Sequence, residues 1–344
     1  MRKRYQMVLG TAVAAALVLS ACAVKPDSGS SGSMSGAESG SSGSTSASQT
    51  AAWKTGLGIL TEASDEGRTG KIHTIAAAVL LDAEGKLADV RLDELEVNIS
   101  ADGNGAVTMP DDYRTKRQKG DDYPLAGVSS LNKGWAEQAD AFGEYLKGMT
   151  PEQASKLETD EDGKAKDADL LSGCTIAVDR YRDAVAKACA EAEVLGAARG
   201  DTLALGIVAE NGSSSLTATD DRDVNVQLDL TVVALTVDAD GRVTSAVGDM
   251  TEPALTVSAD GGVSAPDRVR SKLEQGDEYG MRQASGLGKE WYEHSRGFCD
   301  YLKGKTAGEI GAIPTDGSDA DLAALCTISV SDLQKAAEKA LAGQ

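Results

Sequence analysis

The chain has 344 residues, only 4% of them aromatic, and a formal net charge of −20. An acidic balance of that size argues against a nucleic-acid binder and against adsorption to anionic lipid through the protein's own charge. Five cysteines and two histidines (His73 and His294) show no Cys-x-x-Cys or Cys/His ligand spacing, so no metal site and no catalytic constellation is read from them.

In chain order, Arg2, Lys3 and Arg4 form a basic head ahead of an apolar run from Met7 to Leu19, the pattern of a leader over residues 1–21. The run closes on Leu19-Ser20-Ala21-Cys22, which resembles the lipobox of bacterial lipoproteins. The resemblance implies cleavage before Cys22, a diacylglycerol thioether on its sulfur, and a protein held at the extracytoplasmic face of a cell membrane. Residues 22–52 comprise this cysteine and a Ser/Gly-rich stretch with too little apolar surface to order itself, which reads as a tether.

Beyond the tether the sequence repeats. Leu57-Gly58-Ile59 returns as Leu205-Gly206-Ile207, Gly120-Asp121-Asp122-Tyr123 as Gly276-Asp277-Glu278-Tyr279, and Cys174-Thr175-Ile176 as Cys326-Thr327-Ile328. A self-match this long exceeds a solenoid unit and predicts two tandem copies of one module, at residues 53–195 and 201–344. Each is expected to be α+β, an antiparallel meander followed by helices.

Val224, Val226, Leu228 and Leu230 alternate with Asn225, Gln227 and Asp229, the period of a half-buried strand. Asp82-Ala83-Glu84-Gly85 and Asp238-Ala239-Asp240-Gly241 read as hairpin turns; a calcium loop would need further ligands that are missing. Trp135, Ala139, Phe142 and Leu146 lie on one helical face, as do Trp291, Ser295, Phe298 and Leu302, with Gly148 and Gly304 as stops. Thr150 to Gln153 and Thr306 to Glu309 read as capping boxes. Final helices are expected around Tyr181, Ala184, Val185 and Ala188, and from a cap at Ser331 through Leu333, Ala337 and Leu341. Trp135 and Trp291 are expected in the core, the histidines at the surface or in caps, and Cys174, Cys189, Cys299 and Cys326 as free, mostly buried thiols.

One stretch carries a chemical hint. Asp169-Leu170-Leu171-Ser172-Gly173-Cys174-Thr175 resembles the Asp-x-x-Ser/Thr-Gly-Ala-Thr motif of the FMN-binding domain family, found in flavin-carrying subunits of ion-pumping oxidoreductases and in electron-transferring lipoproteins. The resemblance implies FMN joined through its phosphate to Thr175 by an exported flavin transferase. Asp169, Ser172 and Gly173 would be the recognition residues, with Cys174 where the family has Ala. In the second copy Asp321 and Thr327 keep the spacing, but Ser and Gly are absent, so Thr327 is a much weaker candidate. Two functions are therefore foremost, ahead of a third, an enzyme acting on a wall or extracellular substrate, for which no acid/base pair is repeated or well placed. One is an extracytoplasmic flavin lipoprotein passing electrons to a membrane redox partner. The other is a cofactor-free surface lipoprotein of the same fold that binds a peptide, a wall fragment or an envelope partner.

Overall fold

The computed structural model describes residues 52–343; the expected leader, Cys22 and the expected tether up to residue 51 lie outside the described residues. The described residues cluster as one compact unit. The chain is α+β, with two antiparallel sheets, each followed in sequence by helices.

The first sheet is a meander of β1 (Lys54–Glu66), β2 (Thr69–Leu81), β3 (Leu87–Ala101) and the short β4 (Val107–Thr108). After it come α1 (Lys116–Lys119), α2 (Trp135–Leu146), α3 (Pro151–Ser155), α4 (Ala168–Leu171) and α5 (Asp179–Ala190). The second sheet holds β5 (Thr202–Asn211), β6 (Val224–Val237), β7 (Val243–Thr251), β8 (Ala254–Val257) and β9 (Val263–Ser264). Here β6 pairs with β7 along one half of its length and with β8 along the other. The break between β7 and β8 falls at Glu252-Pro253, where proline has no N–H to give the ladder. The helices that follow are α6 (Lys272–Gln275), α7 (Trp291–Leu302), α8 (Ala307–Gly311), α9 (Ala320–Leu325) and α10 (Ser331–Ala342).

Three cores make four layers. Between the sheets, Leu57, Ile72, Leu80, Val97 and Ile99 meet Leu203, Val226, Leu228, Leu230 and Val232. On the outer face of the first sheet, Ile75, Ala77, Val79 and Leu81 pack on Trp135, Phe142, Leu146 and Val185. Opposite, Val233, Leu235 and Val237 pack on Phe298, Leu302, Leu333 and Ala337. Alternate residues of β2 and β6 thus enter different cores. This is why Ile75 to Leu81 is an unbroken apolar run, whereas the start of β6, with helices on neither side, keeps its polar alternation.

Local signals behave as the sequence predicts at both capping boxes, where Thr150 and Thr306 accept from the backbone N–H of Gln153 and Glu309. Trp135 and Trp291 are buried, and Asp238 Oδ1 accepts from the N–H groups of Asp240 and Arg242, closing the turn on itself. Two expectations are corrected. The last helix is preceded by Val330 at the cap position, with Ser331 its first helical residue. His294 is fully buried, not superficial.

The helices sit unusually close to the edge strands. A Cβ placed on Gly58 would lie 2.3 Å from the carbonyl oxygen of Ala184 in α5, and one on Gly206 would lie 2.0 Å from that of Ala336 in α10. Only glycine allows such approach.

Candidate functional site

The motif begins inside α4 with Asp169, Leu170 and Leu171, and Ser172 to Thr175 continue as the turn towards α5, laid against α2. Asp167, one residue before α4, caps it by accepting from the N–H groups of Asp169 and Leu170. Asp169 is exposed, and its carbonyl accepts the Ser172 hydroxyl at 2.7 Å. Gly173 packs on α2, where a Cβ would come within 3.1 Å of the Ala141 Cβ. Cys174 is buried, and burial pushes its thiol up to about 11, so it is a neutral packing group.

Thr175 is half-buried and held by one side chain. Gln138 Oε1 accepts both the Thr175 backbone N–H at 2.8 Å and the Thr175 hydroxyl at 3.1 Å. Gln138, itself fully buried, donates through Nε2 to Ser129 Oγ at 3.0 Å. In the second half His294 does the same work. Its Nδ1 accepts the Thr327 backbone N–H at 3.2 Å, and Nε2 lies 2.8 Å from Ser285 Oγ. With Nδ1 accepting, the ring is the neutral Nε2–H tautomer, and burial lowers its pKa in the same sense. Thr327 is exposed, and His294 reaches only its backbone.

Beside the Thr175 turn, between the first sheet and its helices, lies a polar cluster that sequence reasoning missed. Glu94 on β3 is 3% exposed. One of its carboxylate oxygens is 2.6 Å from both His73 Nε2 and Lys116 Nζ, and the other accepts the Tyr181 hydroxyl. Tyr181 in turn accepts Trp135 Nε1–H at 2.9 Å. Burial opposes the ionisation of Glu94, but the bonds from His73, Lys116 and Tyr181 outweigh it and hold the carboxyl down at about 2. Burial, with the Glu94 charge beside it, drives the Tyr181 phenol well above its usual range. Glu94 is therefore a fixed anion and Tyr181 a fixed donor.

His73, Glu94 and Glu96 bring their donor atoms within 4.8 Å of one another. Lys116, 2.6 Å from Glu94 and 3.6 Å from Glu96, already supplies the positive charge a cation would bring. The residues come from β2, β3, α1 and α5, so no short motif announces them. The one sequence signal is the expected repeat, which aligns Met250 with Glu94 and Leu333 with Tyr181; Met250 pairs with Thr231 as Glu94 pairs with Ile75.

That exchange changes the interior. In the second half Lys272 pairs with Glu252 at 2.7 Å, and its ammonium lies over the rings of Tyr279 and Trp291. With Met250 and Leu333 in place of a glutamate and a tyrosine, the space between them, Trp291 and Ile328 opens as a pocket of about 310 Å³, with Tyr279 and Asp332 also on its wall.

No protein-family model matches the chain, and no solved structure matches it. A stretch of 40 residues is 45% identical to part of the chlorophenol reductase of Desulfitobacterium hafniense, covering 12% of this chain and 12% of that protein. A likeness confined to so small a share of both chains carries no activity across. Among the described residues no helix is long and apolar enough to cross a membrane.

Proposed function

We propose that the protein is a membrane-anchored, extracytoplasmic lipoprotein built from two diverged FMN-binding-like modules, and that it relays electrons through FMN carried on Thr175. The observation that carries this reading is the placement of the Thr175 hydroxyl: it sits on a half-buried turn, fixed by Gln138, while Thr327 is held by its backbone alone. The paired roles of Gln138 and His294, and of Ser129 and Ser285, support common descent of the two halves.

The turn suits a phosphoester. Thr175 is only half-buried, Gly173 keeps the backbone near α2, and the charge of Lys133 is felt at Cys174. Bound FMN would supply one- and two-electron transfer, and its covalent link would prevent loss outside the cell. The chain's own part is to hold the Thr175 oxygen in place and to keep Cys174 neutral beside it. Trp135, Tyr181 and Glu94 fill the interior on this side, where the second half has the pocket beside Met250 and Leu333.

That filled interior favours the second reading, a cofactor-free surface lipoprotein of the same fold that binds an envelope or wall ligand. Intact mass separates the two. Co-expression of the secreted protein with a bacterial flavin transferase is expected to add one FMN, and Thr175→Val to abolish the addition. An unchanged mass in every case leaves the binding reading.

A further inference from the structure

Two clefts run along the seams between the halves, and their contents differ. One, of about 400 Å³, lies where β1 passes β7. The other, of about 440 Å³, lies where β3 passes β5 and is lined by the β5 segment from Leu203 to Gly206 and by Arg91, Arg114, Arg117 and Lys339, with Asp93 the one carboxylate beside these four cations. Both β1 and β5 are edge strands, paired on one side only, with β2 and β6 respectively. An edge leaves backbone groups ready for another strand.

At the first seam the edge is already used. The Thr55 N–H donates to Glu193 O at 2.9 Å, and the Glu193 N–H returns to Thr55 O at 3.0 Å. The Glu193 carboxylate meets Arg296 Nη2 at 2.7 Å. An extended acidic segment, from the connection between the halves, has thus been added to β1. Leu203 holds the equivalent place in β5, and among the described residues no segment pairs with it on that side.

The cations at the seams differ in the same way. Lys187 in α5 donates to the Ile59 carbonyl at 2.8 Å and lies 3.0 Å from Glu274. Its counterpart in α10 is Lys339. There Gln118 stands in the place of Glu274 and takes the matching carbonyl, that of Ile207, at 3.0 Å. Lys339 is left with no ion pair among the described residues. Arg114 and Arg117 are tied to Asp112, Asp122 and Asp140, but the carboxylates facing Arg91 stand off at 3.8 and 3.9 Å. Burial lowers the Lys339 pKa by more than the nearby charges of Asp93 and Glu210 raise it, a cost that a bound anion would relieve.

We propose that the seam between β3 and β5 is a docking site for an extended, acidic segment of a partner protein. The segment adds to the β5 edge at Leu203 through its backbone and sets a carboxylate between Lys339 and Arg91. The inference uses the equivalence of the halves proposed above and is independent of flavin at Thr175, whose mass test reads a different residue.

The test uses the full chain and a labelled probe peptide, Ala-Glu-Ala-Glu-Val-Leu, copied from residues 190–195. Fluorescence anisotropy at low salt should give saturable binding, with the lysine counterpart Ala-Lys-Ala-Lys-Val-Leu at least about tenfold weaker. Lys339→Glu and Arg91→Glu should each weaken binding about tenfold or more, while Arg296→Glu at the other seam leaves it unchanged. Amide exchange across residues 202–207 should slow when the peptide is present. The proposal is overturned by no binding up to about 1 mM, by equal affinity for both peptides, or by indifference to Lys339→Glu in a normally folded variant. Self-association of the chain that Lys339→Glu abolishes would assign the seam to a second copy instead, and would equally overturn it.

Discussion

Alanine at Gly206 should damage the protein far more than one methyl group suggests. The new Cβ would lie 2.0 Å from the carbonyl oxygen of Ala336 and 2.5 Å from the amide nitrogen of Ala340, both rigid backbone of α10. Contacts under 3.0 Å are not tolerated, so β5 and α10 must part by roughly 1 Å. A gap of that size forfeits a quarter to a half of the dispersion attraction along the contact, here the buried face of Leu333, Ala336, Ala337 and Ala340. Together with the strain of overpacking, the expected loss is about 3 kcal/mol or more. Gly308 in α8 provides the internal contrast, because nothing lies within 4 Å of its Cβ position. There the same substitution should stabilise by about 0.5 kcal/mol through helix propensity. Equilibrium urea unfolding reads both. With a slope near 3 kcal/mol per molar, Gly206→Ala should lower the midpoint by about 1 M and Gly308→Ala should raise it slightly. A Gly206→Ala midpoint equal to wild type, at unchanged slope, would refute the close-approach explanation.

Other expectations follow from the buried polar groups. Glu94→Met alone strands Lys116, His73 and Tyr181 without their shared acceptor and should cost about 3–5 kcal/mol. Glu94→Met with Tyr181→Leu copies the second half, where Lys272 rests on Glu252, and should cost less than the two single changes summed; a double-mutant unfolding cycle measures the coupling. Asp93, a buried residue of β3, is pushed up to about 6 by its burial, against bonds from Thr115 and the backbone. Its neutral form is therefore the one folding favours: this penalty is absent below the unfolded value near 3.8 and grows to about 3 kcal/mol as pH rises through 6. Asp93→Asn should remove that slope between pH 4 and pH 7, seen as a pH-dependent difference from wild type in urea midpoint. Glu94 acts in the opposite direction, its contribution fading as pH falls from 4.5 towards 2. His294→Gln should be near neutral in thermal unfolding, because Gln138 already performs the same task in the first half.

What was legible in the sequence was local or repeated. The capping boxes, the helical face of Trp135 and Phe142 and the Asp-Gly turns depend on neighbours within a few residues, so their chemistry is written next to them. The repeated Leu-Gly-Ile was visible as a repeat, but its cause, a helix pressed on an edge strand, lies more than 120 residues away along the chain in each half. The joining of both sheets around one core was not readable, because a strand buried on two faces shows only as an apolar run such as Ile75 to Leu81. His294 looked superficial because histidine in isolation usually is; only the equivalence with Gln138 reveals an interior acceptor. The Glu94 cluster was hidden among many acidic residues, and only its replacement by Met250 in the other half marks it as special.

The most direct test is the intact mass of the protein isolated from the membranes of the cell that makes it, with peptide mapping of the turn at Thr175. The expected result is a chain cut before Cys22, carrying lipid there and one FMN on the peptide that contains Thr175. A lipidated chain whose Thr175 peptide has its unmodified mass would contradict the flavin-carrier account.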